Sequence, residues 1–372
     1  VRGSYTEVGT SFERFITRPS YEFNIASGKW ISTSIYPVRN LKPEKTRSWE
    51  VGVNSKWLNN RLSFDLTYYR SSTINQTFTA DLSVSSGYSK AYIQSGNVRN
   101  EGMEIALGYS DKWGGFSWDS NLTFSWNQNK IIKLTEGSVN PMTGEPITKD
   151  NYEMGQLGNL DARVKLYKGG SIGDVYATHR IKRDGNNNIY VSQEGKIEIE
   201  SVEEFKLGSI LPKSNMGWSN NFSYKGVNLG VTLTARFGGI ALSGTQSTLD
   251  QYGVSQVTAD YRDAGGIFTN YGYVDTEKYF DTVKGYAAYY TYSATNVRLS
   301  ELNLSYTLPQ KWFRDKLRMT VGLVGKNLWM IYCKAPFDPE ATASTQSNYY
   351  QSYDYFMQPT TRNIGFSVKL NF

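Results

Sequence analysis

One cysteine, Cys333, and one histidine, His179, occur in 372 residues. A lone thiol excludes a disulfide framework and a cysteine-based zinc site, and a lone imidazole excludes a multi-histidine metal site. No run of 18 apolar residues is present, so no segment reads as a transmembrane helix. Charge is modest, with 20% charged residues and a net +6, which argues against a disordered polyelectrolyte tail. Hydrophobic residues make up only 39%, and on a mean hydropathy of −0.50 alone the chain reads as soluble. The opening Val1-Arg2-Gly3-Ser4-Tyr5 lacks the form of a secretory signal, and the chain is expected to start inside a longer structure. Aromatic residues stand against these scarcities: 28 Tyr, 17 Phe and 9 Trp, 15% in all.

Their placement follows a period of two. Phe116, Trp118, Leu122, Phe124 and Trp126 alternate with Ser117, Asp119, Asn121, Thr123 and Ser125. Val227, Leu229, Val231, Leu233, Ala235 and Phe237 alternate with Asn228, Gly230, Thr232, Thr234 and Arg236. Ile364, Phe366, Val368, Leu370 and Phe372 form the apolar face of a last strand. These are half-apolar strands, and no helical period of comparable length competes. Ten strands are expected, near 1–9, 46–58, 61–72, 98–110, 115–128, 213–224, 226–238, 297–308, 317–330 and 360–372. The connections between them alternate long and short throughout.

Alternating connection length is the mark of an antiparallel up-and-down transmembrane β-barrel with short periplasmic turns and long extracellular loops. Ten residues from Phe116 to Trp126 span about 33 Å, or about 23 Å of height when tilted, close to the apolar band of an outer-membrane barrel. Aromatics near both strand ends (Trp49 and Trp57, Phe116 and Trp126, Trp218 and Tyr224) suit the two membrane interfaces. The Ser, Thr, Asn and Gly face suits a watery lumen. A soluble sandwich or solenoid would alternate too, but needs neither the long–short rhythm nor the aromatic ends. A final strand ending at the short-turn rim puts the C-terminus in the periplasm. The 129–212 connection is too long to lack structure. Ile172–Arg183 with Ile189–Ile199 are expected to form a hairpin, projecting outward or adding two strands.

Two connections are rich in aromatics. One carries Tyr271, Tyr273, Tyr279, Phe280, Tyr286, Tyr289, Tyr290 and Tyr292, and the other Tyr349, Tyr350, Tyr353, Tyr355 and Phe356. Rigid rings with a hydroxyl suit sugars or peptide backbone; packing of loop on loop, or a partner surface, is the plainer use of such residues. Thr73–Tyr92 could serve likewise. His179 has no acid or nucleophile partner nameable from sequence, although Asp174 or Asp184 could be set beside it in a small-barrel enzyme. Scattered basic residues argue against nucleic acid; with a pI near 9.0, a basic loop surface beside lipopolysaccharide is expected. No cofactor or metal is expected.

Several stretches resemble SusC/RagA-type TonB-dependent transporters. These are Asn40-Leu41-Lys42-Pro43-Glu44 to Ser48-Trp49-Glu50-Val51-Gly52, Gly96-Asn97-Val98-Arg99-Asn100-Glu101-Gly102, and Val297-Arg298-Leu299 with Leu302 to Pro309. Gly325-Lys326-Asn327-Leu328-Trp329 with Phe337-Asp338-Pro339-Glu340, and Thr361-Arg362-Asn363-Ile364 to Phe372, complete the set. Together they run in order across nearly the whole chain. The resemblance implies that residues 1–372 are the C-terminal part of a barrel of 22 strands, about 10–12 of them here, with the plug and first barrel strands absent. It implies outer-membrane import of glycans or oligopeptides in a Gram-negative, Bacteroidetes-like cell. TonB acting through the missing part and a SusD-like surface lipoprotein are the implied partners. Alternatives are a scaffold barrel in a larger assembly and a small-barrel enzyme. The family's calcium-loop-like run is not matched at Lys182–Tyr190, where only Asp184 is acidic and Gly185 comes too early.

Overall fold

The computed structural model describes all residues except 12–17, 19–20, 33–34, 37–40, 82–87, 137–138, 141–142, 147–150, 315, 342–349 and 372. Ten strands form one antiparallel sheet in chain order. They are β1 (Arg2–Thr10), β2 (Glu44–Trp57), β3 (Leu62–Asp81), β4 (Lys90–Trp113), β5 (Phe116–Lys133), β6 (Ser214–Tyr224), β7 (Val227–Phe237), β8 (Asn296–Thr307), β9 (Arg318–Cys333) and β10 (Asn363–Asn371). Ile35–Tyr36 adds a short parallel pairing to β4. The ten expected strands are all present.

Register lines the apolar positions into rows. One runs Val53, Leu66, Ile105, Phe124, Met216, Ala235 and Val297 across seven strands. Another runs Phe222, Leu229, Leu304, Leu323 and Phe366. Val53, Leu304, Leu323 and Phe366 are exposed. A band of half-buried and exposed apolar side chains along one face of a sheet needs a nonpolar surrounding, and lipid supplies it. The reverse face is polar: Arg2 pairs with Asp65 at 2.7 Å, Ser48 donates to Ser71, and Asn129 donates to Asn100.

At the short-turn rim the rings meet in pairs. Trp113 stacks on Phe116 at 6.0 Å, and Trp118 on Phe222 at 6.1 Å. Trp218 departs from the expected interface position. It lies opposite Leu122 and Leu233, inside the apolar band, and its indole N–H is satisfied by Ser120 Oγ at 3.0 Å.

The alternation slips phase at Ser300. Leu299 faces lipid with Leu302 and Leu304, three and five residues on, so one residue must be absorbed. A bulge does this: Thr232 pairs with Glu301 and Leu233 with Leu299. Bulges re-aim side chains in this way, and here the device keeps Arg298 on the lumen face beside Thr234.

The 73–97 stretch, expected as a long connection, is mostly strand. The β3–β4 ladder continues to the Asp81–Lys90 pair, and the strands have 20 and 24 residues, where about ten cross a membrane. Ile74, Thr77 and Tyr92 are among the β-branched and aromatic residues that prolong it.

Above the barrel sits a cap with its own core. The 134–213 connection forms a separate four-stranded sheet, in the order Ile199–Ser209, Asp174–Ile181, Arg163–Tyr167, Asn151–Gln156. Asp174–Ile181 pairs with Ile199–Ser209, so that of the expected 172–183 and 189–199 hairpin only the tip around the Arg183–Ile189 bridge is present, and neither strand joins the barrel. Leu160, Val164, Val175, Leu242, Val283, Tyr290 and Tyr353 share the cap's apolar cluster, so three connections fold as one body. The 238–295 connection holds three helices, Gly244–Gln251, Gln256–Asp263 and Thr276–Val283. Each starts on a side-chain cap, from Ser243, Ser255 and Asp275 respectively.

Candidate functional site

Where the 238–295 connection meets the loop after β9, a cavity of about 390 Å³ opens. Tyr261, Tyr279, Phe280, Tyr289, Tyr290 and Tyr292 line it, with Gln246 and Asp250 on one side and Lys334 and Pro336 on the other. The three helices carry most of this wall. Phe280 anchors it: Tyr279 meets it edge-on at 5.0 Å, and Tyr261 lies 6.1 Å away. Tyr292 sits edge-on to Phe337 at 5.6 Å.

Burial raises the phenol pKa of Tyr279, Tyr290 and Tyr292, so these rings stay neutral hydroxyl donors. Burial also raises Asp250 above the usual aspartate value, against the hydrogen bonds from Ser255 and Gln246. Gln246 Nε2 donates to Asp250 at 2.6 Å. The wall is mostly apolar, with a few polar groups directed at one place, which is the make-up of a small-ligand site.

The opposite lip is held by an ion pair. The Arg298 guanidinium grips Asp338 with two bonds, of 3.0 and 2.8 Å, and reaches Glu340 at 3.2 Å. Burial raises the Asp338 carboxyl pKa, and Arg298 more than offsets that, leaving it below the ordinary aspartate range. Asn296 Nδ2 donates to Glu340. The bulge in β8 therefore sets Arg298 where it holds Asp338 and Glu340.

The tyrosines singled out from sequence separate into groups. Tyr289, Tyr290 and Tyr292 all line the cavity. Tyr290 is only 1% exposed and belongs to the cap core. Tyr289 accepts the Ile181 N–H at 2.8 Å, tying it to the four-stranded sheet. Tyr353 is 3% exposed, a packing residue outside the cavity. Tyr355 and Phe356 are exposed and meet edge-on at 5.2 Å. Tyr350 opens the short turn Tyr350–Ser352. Tyr349 and Phe372 lie outside the described residues. Ile364, Phe366, Val368 and Leu370 are exposed on β10, paired with β9. Gln246, Asp250, Tyr261, Lys334 and Pro336 were not foreseen as site residues. The signal for the first two was Ser243 three residues before Gln246, the mark of a helix start.

Two other sequence features resolve into structure. His179 Nδ1 lies 3.1 Å from Asp161, not from Asp174 or Asp184. The other Asp161 oxygen accepts the Ala287 N–H at 2.6 Å, so the pair fastens the sheet to the 238–295 segment. Asp184 Oδ1 accepts from the backbone of Asn186 and Asn188, which makes the Lys182–Tyr190 run a turn.

The two largest connections run against the expected basic loop surface. The 134–213 and 238–295 connections together hold 18 acidic and 13 basic residues, so the chain's positive charge lies elsewhere.

Residues 1–328 match the family model described as TonB dependent receptor-like, beta-barrel. TonB-dependent receptor P3 of Formosa agariphila is 26% identical over 349 residues, which is 90% of this chain and 34% of that protein. TonB-dependent receptor SusC of Bacteroides thetaiotaomicron is 22% identical, over 84% of this chain and 31% of that protein. A structure of the RagAB peptide transporter superposes on all of this chain and 40% of its own, with a TM-score of 0.70 at 18% identity. The chain thus spans about a third of the curated relatives it matches. These are transport barrels rather than enzymes. The matched model and the open ten-stranded sheet with its lipid-facing rows identify this chain as a member of the TonB-dependent receptor β-barrel family, similar to SusC and RagAB.

Proposed function

We propose that residues 1–372 are the C-terminal part of an outer-membrane transporter that imports glycans or oligopeptides. TonB energises it through a plug and first barrel strands that precede this region. A SusD-like surface lipoprotein covers the outer side. The short-turn rim, where β10 ends, faces the periplasm, and the cell is a Gram-negative one of Bacteroidetes type.

The observation that carries this reading is the tyrosine-lined cavity between two outer connections of a polar-walled barrel. A wide barrel with a hydrated inner face is a conduit. Neutral phenols backed by Gln246 and Asp250 offer stacking faces and hydrogen bonds to a hydroxyl- or amide-rich ligand. Selective uptake needs such contacts on the outer side.

The test is uptake and binding by the full-length transporter with Tyr279→Ala and Tyr292→Ala together. Binding of the transported oligosaccharide or oligopeptide, by calorimetry, should weaken at least tenfold while the barrel still assembles. Unchanged binding and uptake would remove the cavity from the transport path. Uptake that persists without TonB would remove the energised mechanism.

A further inference from the structure

Among the described residues, most cations of the short-turn rim meet no carboxylate, whereas seven of the twelve in the cap do. In the cap Arg163, Lys165, Lys168, Arg180, Lys182, Lys206 and Lys284 each meet a carboxylate. At the rim only Arg61 does, with Asp111 at 3.0 Å. Lys56, Lys112, Lys225, Lys311, Arg314, Lys316 and Arg318 are exposed, and none makes an ion pair with a described residue. Four of them fall in the β8–β9 turn, 308–317, and its exit, against one acid, Asp315.

The same turn carries Trp312, 67% exposed, on the short helix Gln310–Phe313. Tyr306 and Val321 bring the lipid-facing rows directly up to it. Trp57, Trp113 and Tyr224 stand exposed on the neighbouring turns, and Lys225 Nζ lies 5.1 Å over the Tyr224 ring. Rings with an apolar body and a polar tip lie at the headgroup level.

From this arrangement we propose that the Lys311–Arg318 turn is an anchor for anionic phospholipid of the leaflet at the short-turn rim. Trp312 enters the headgroup layer, and Lys311, Arg314 and Lys316 bind lipid phosphate. The apolar rows end there, so whatever meets those cations is the surface of the bilayer. Their sign selects an anionic headgroup over a zwitterionic one. Each basic side chain near an anionic membrane adds to the attraction, and salt weakens it. The proposal rests on the barrel reading, and not on what the barrel carries.

The experiment uses the full-length protein in nanodiscs of phosphatidylcholine doped with phosphatidylglycerol and lipid A together. Lipid still bound after release into detergent is counted by native mass spectrometry. The wild type should retain phosphatidylglycerol, and 0.5 M salt should strip it. Lys311→Gln/Arg314→Gln/Lys316→Gln should bind it on the order of a hundredfold more weakly. The control Lys165→Gln/Lys168→Gln/Lys182→Gln removes the same charge from the cap and should bind as the wild type does. Equal retention by the rim variant, or equal retention of phosphatidylcholine, overturns the anchor. Retention of lipid A in place of phosphatidylglycerol, lost in the rim variant, would overturn the choice of phospholipid and put this rim at the outer leaflet. Uptake assays read the transport proposal separately, so either can fail alone.

Discussion

Tyr353 and Asn159 hold each other across 194 positions of sequence. The Tyr353 hydroxyl donates to Asn159 Oδ1 at 2.5 Å and accepts the Asn159 N–H at 3.2 Å. Gly158 makes the approach possible. Its φ is +59°, and a Cβ there would lie 2.0 Å from the Tyr353 ring. One ring thus joins the loop after β9 to the 134–213 connection.

Tyr353→Phe should lower cap stability by about 0.5–1.5 kcal/mol, because it removes the two hydrogen bonds that the buried phenol makes to the exposed Asn159. Gly158→Ala should cost more, adding backbone strain to a direct clash. Hydrogen exchange of the cap amides, compared with those of the barrel ladder, measures both. Exchange unchanged in Tyr353→Phe would show that the cap does not depend on this link.

The His179–Asp161 pair acts in packing. Asp161 also holds the Ala287 N–H, and His179 lies 5.3 Å from the Tyr286 ring. His179→Ala should leave uptake by the full-length transporter within twofold while raising protease sensitivity of the cap. Asp161→Ala should be the more damaging, since it releases both the ring and the backbone amide. Loss of uptake with an intact cap in His179→Ala would overturn this assignment.

The barrel was legible because a strand in lipid must alternate, as Phe116–Trp126, Val227–Phe237 and Ile364–Leu370 do, and because each of these strands is nine residues or longer. Even the phase slip between Leu299 and Leu302 was written in the sequence, although only the register shows that a bulge absorbs it. The cap was not legible. Its helices have eight residues each and several strands have three to six, too short for a period to stand out. Tyr290 and Tyr292 read alike in sequence. Both line the cavity, but contacts from distant segments make the first part of the cap core and leave the second only half-buried. Nothing local to Asn159 announces Tyr353.

Acid should loosen the cap at a defined place. Glu136 accepts the Leu134 N–H and pairs with Lys168 at 2.6 Å. Lys168 first, and the Leu134 amide second, hold its carboxyl at about 2, below the ordinary 4.5. A depressed carboxyl stabilises the folded state fully above the unfolded value, and this contribution is lost as pH falls from 4.5 towards 2. Partial exposure of both side chains keeps the effect modest. Lys168→Gln should return Glu136 towards its ordinary value and flatten the pH dependence of exchange at Leu134 through that window. A slope unchanged by the substitution would assign the acid response to other carboxylates.

The lumen wall makes the most severe steric demand at Gly102. Tyr69 lies across it to donate to Asn127 Oδ1 at 3.1 Å. A Cβ at position 102 would stand 2.6 Å from the Tyr69 hydroxyl oxygen and 2.4 Å from the Trp126 carbonyl oxygen. The ring can swing away, but the carbonyl belongs to the β4–β5 ladder and moves only if the strands part. Gly102→Ala should therefore cost about 1–3 kcal/mol and lower the yield of folded barrel, scored by the heat-dependent gel shift of the full-length protein. Adding Tyr69→Ala should restore only part of that yield, because the backbone contact persists. Full restoration would place the whole conflict on the tyrosine, and no loss in Gly102→Ala would mean the two strands stand further apart here than the register requires.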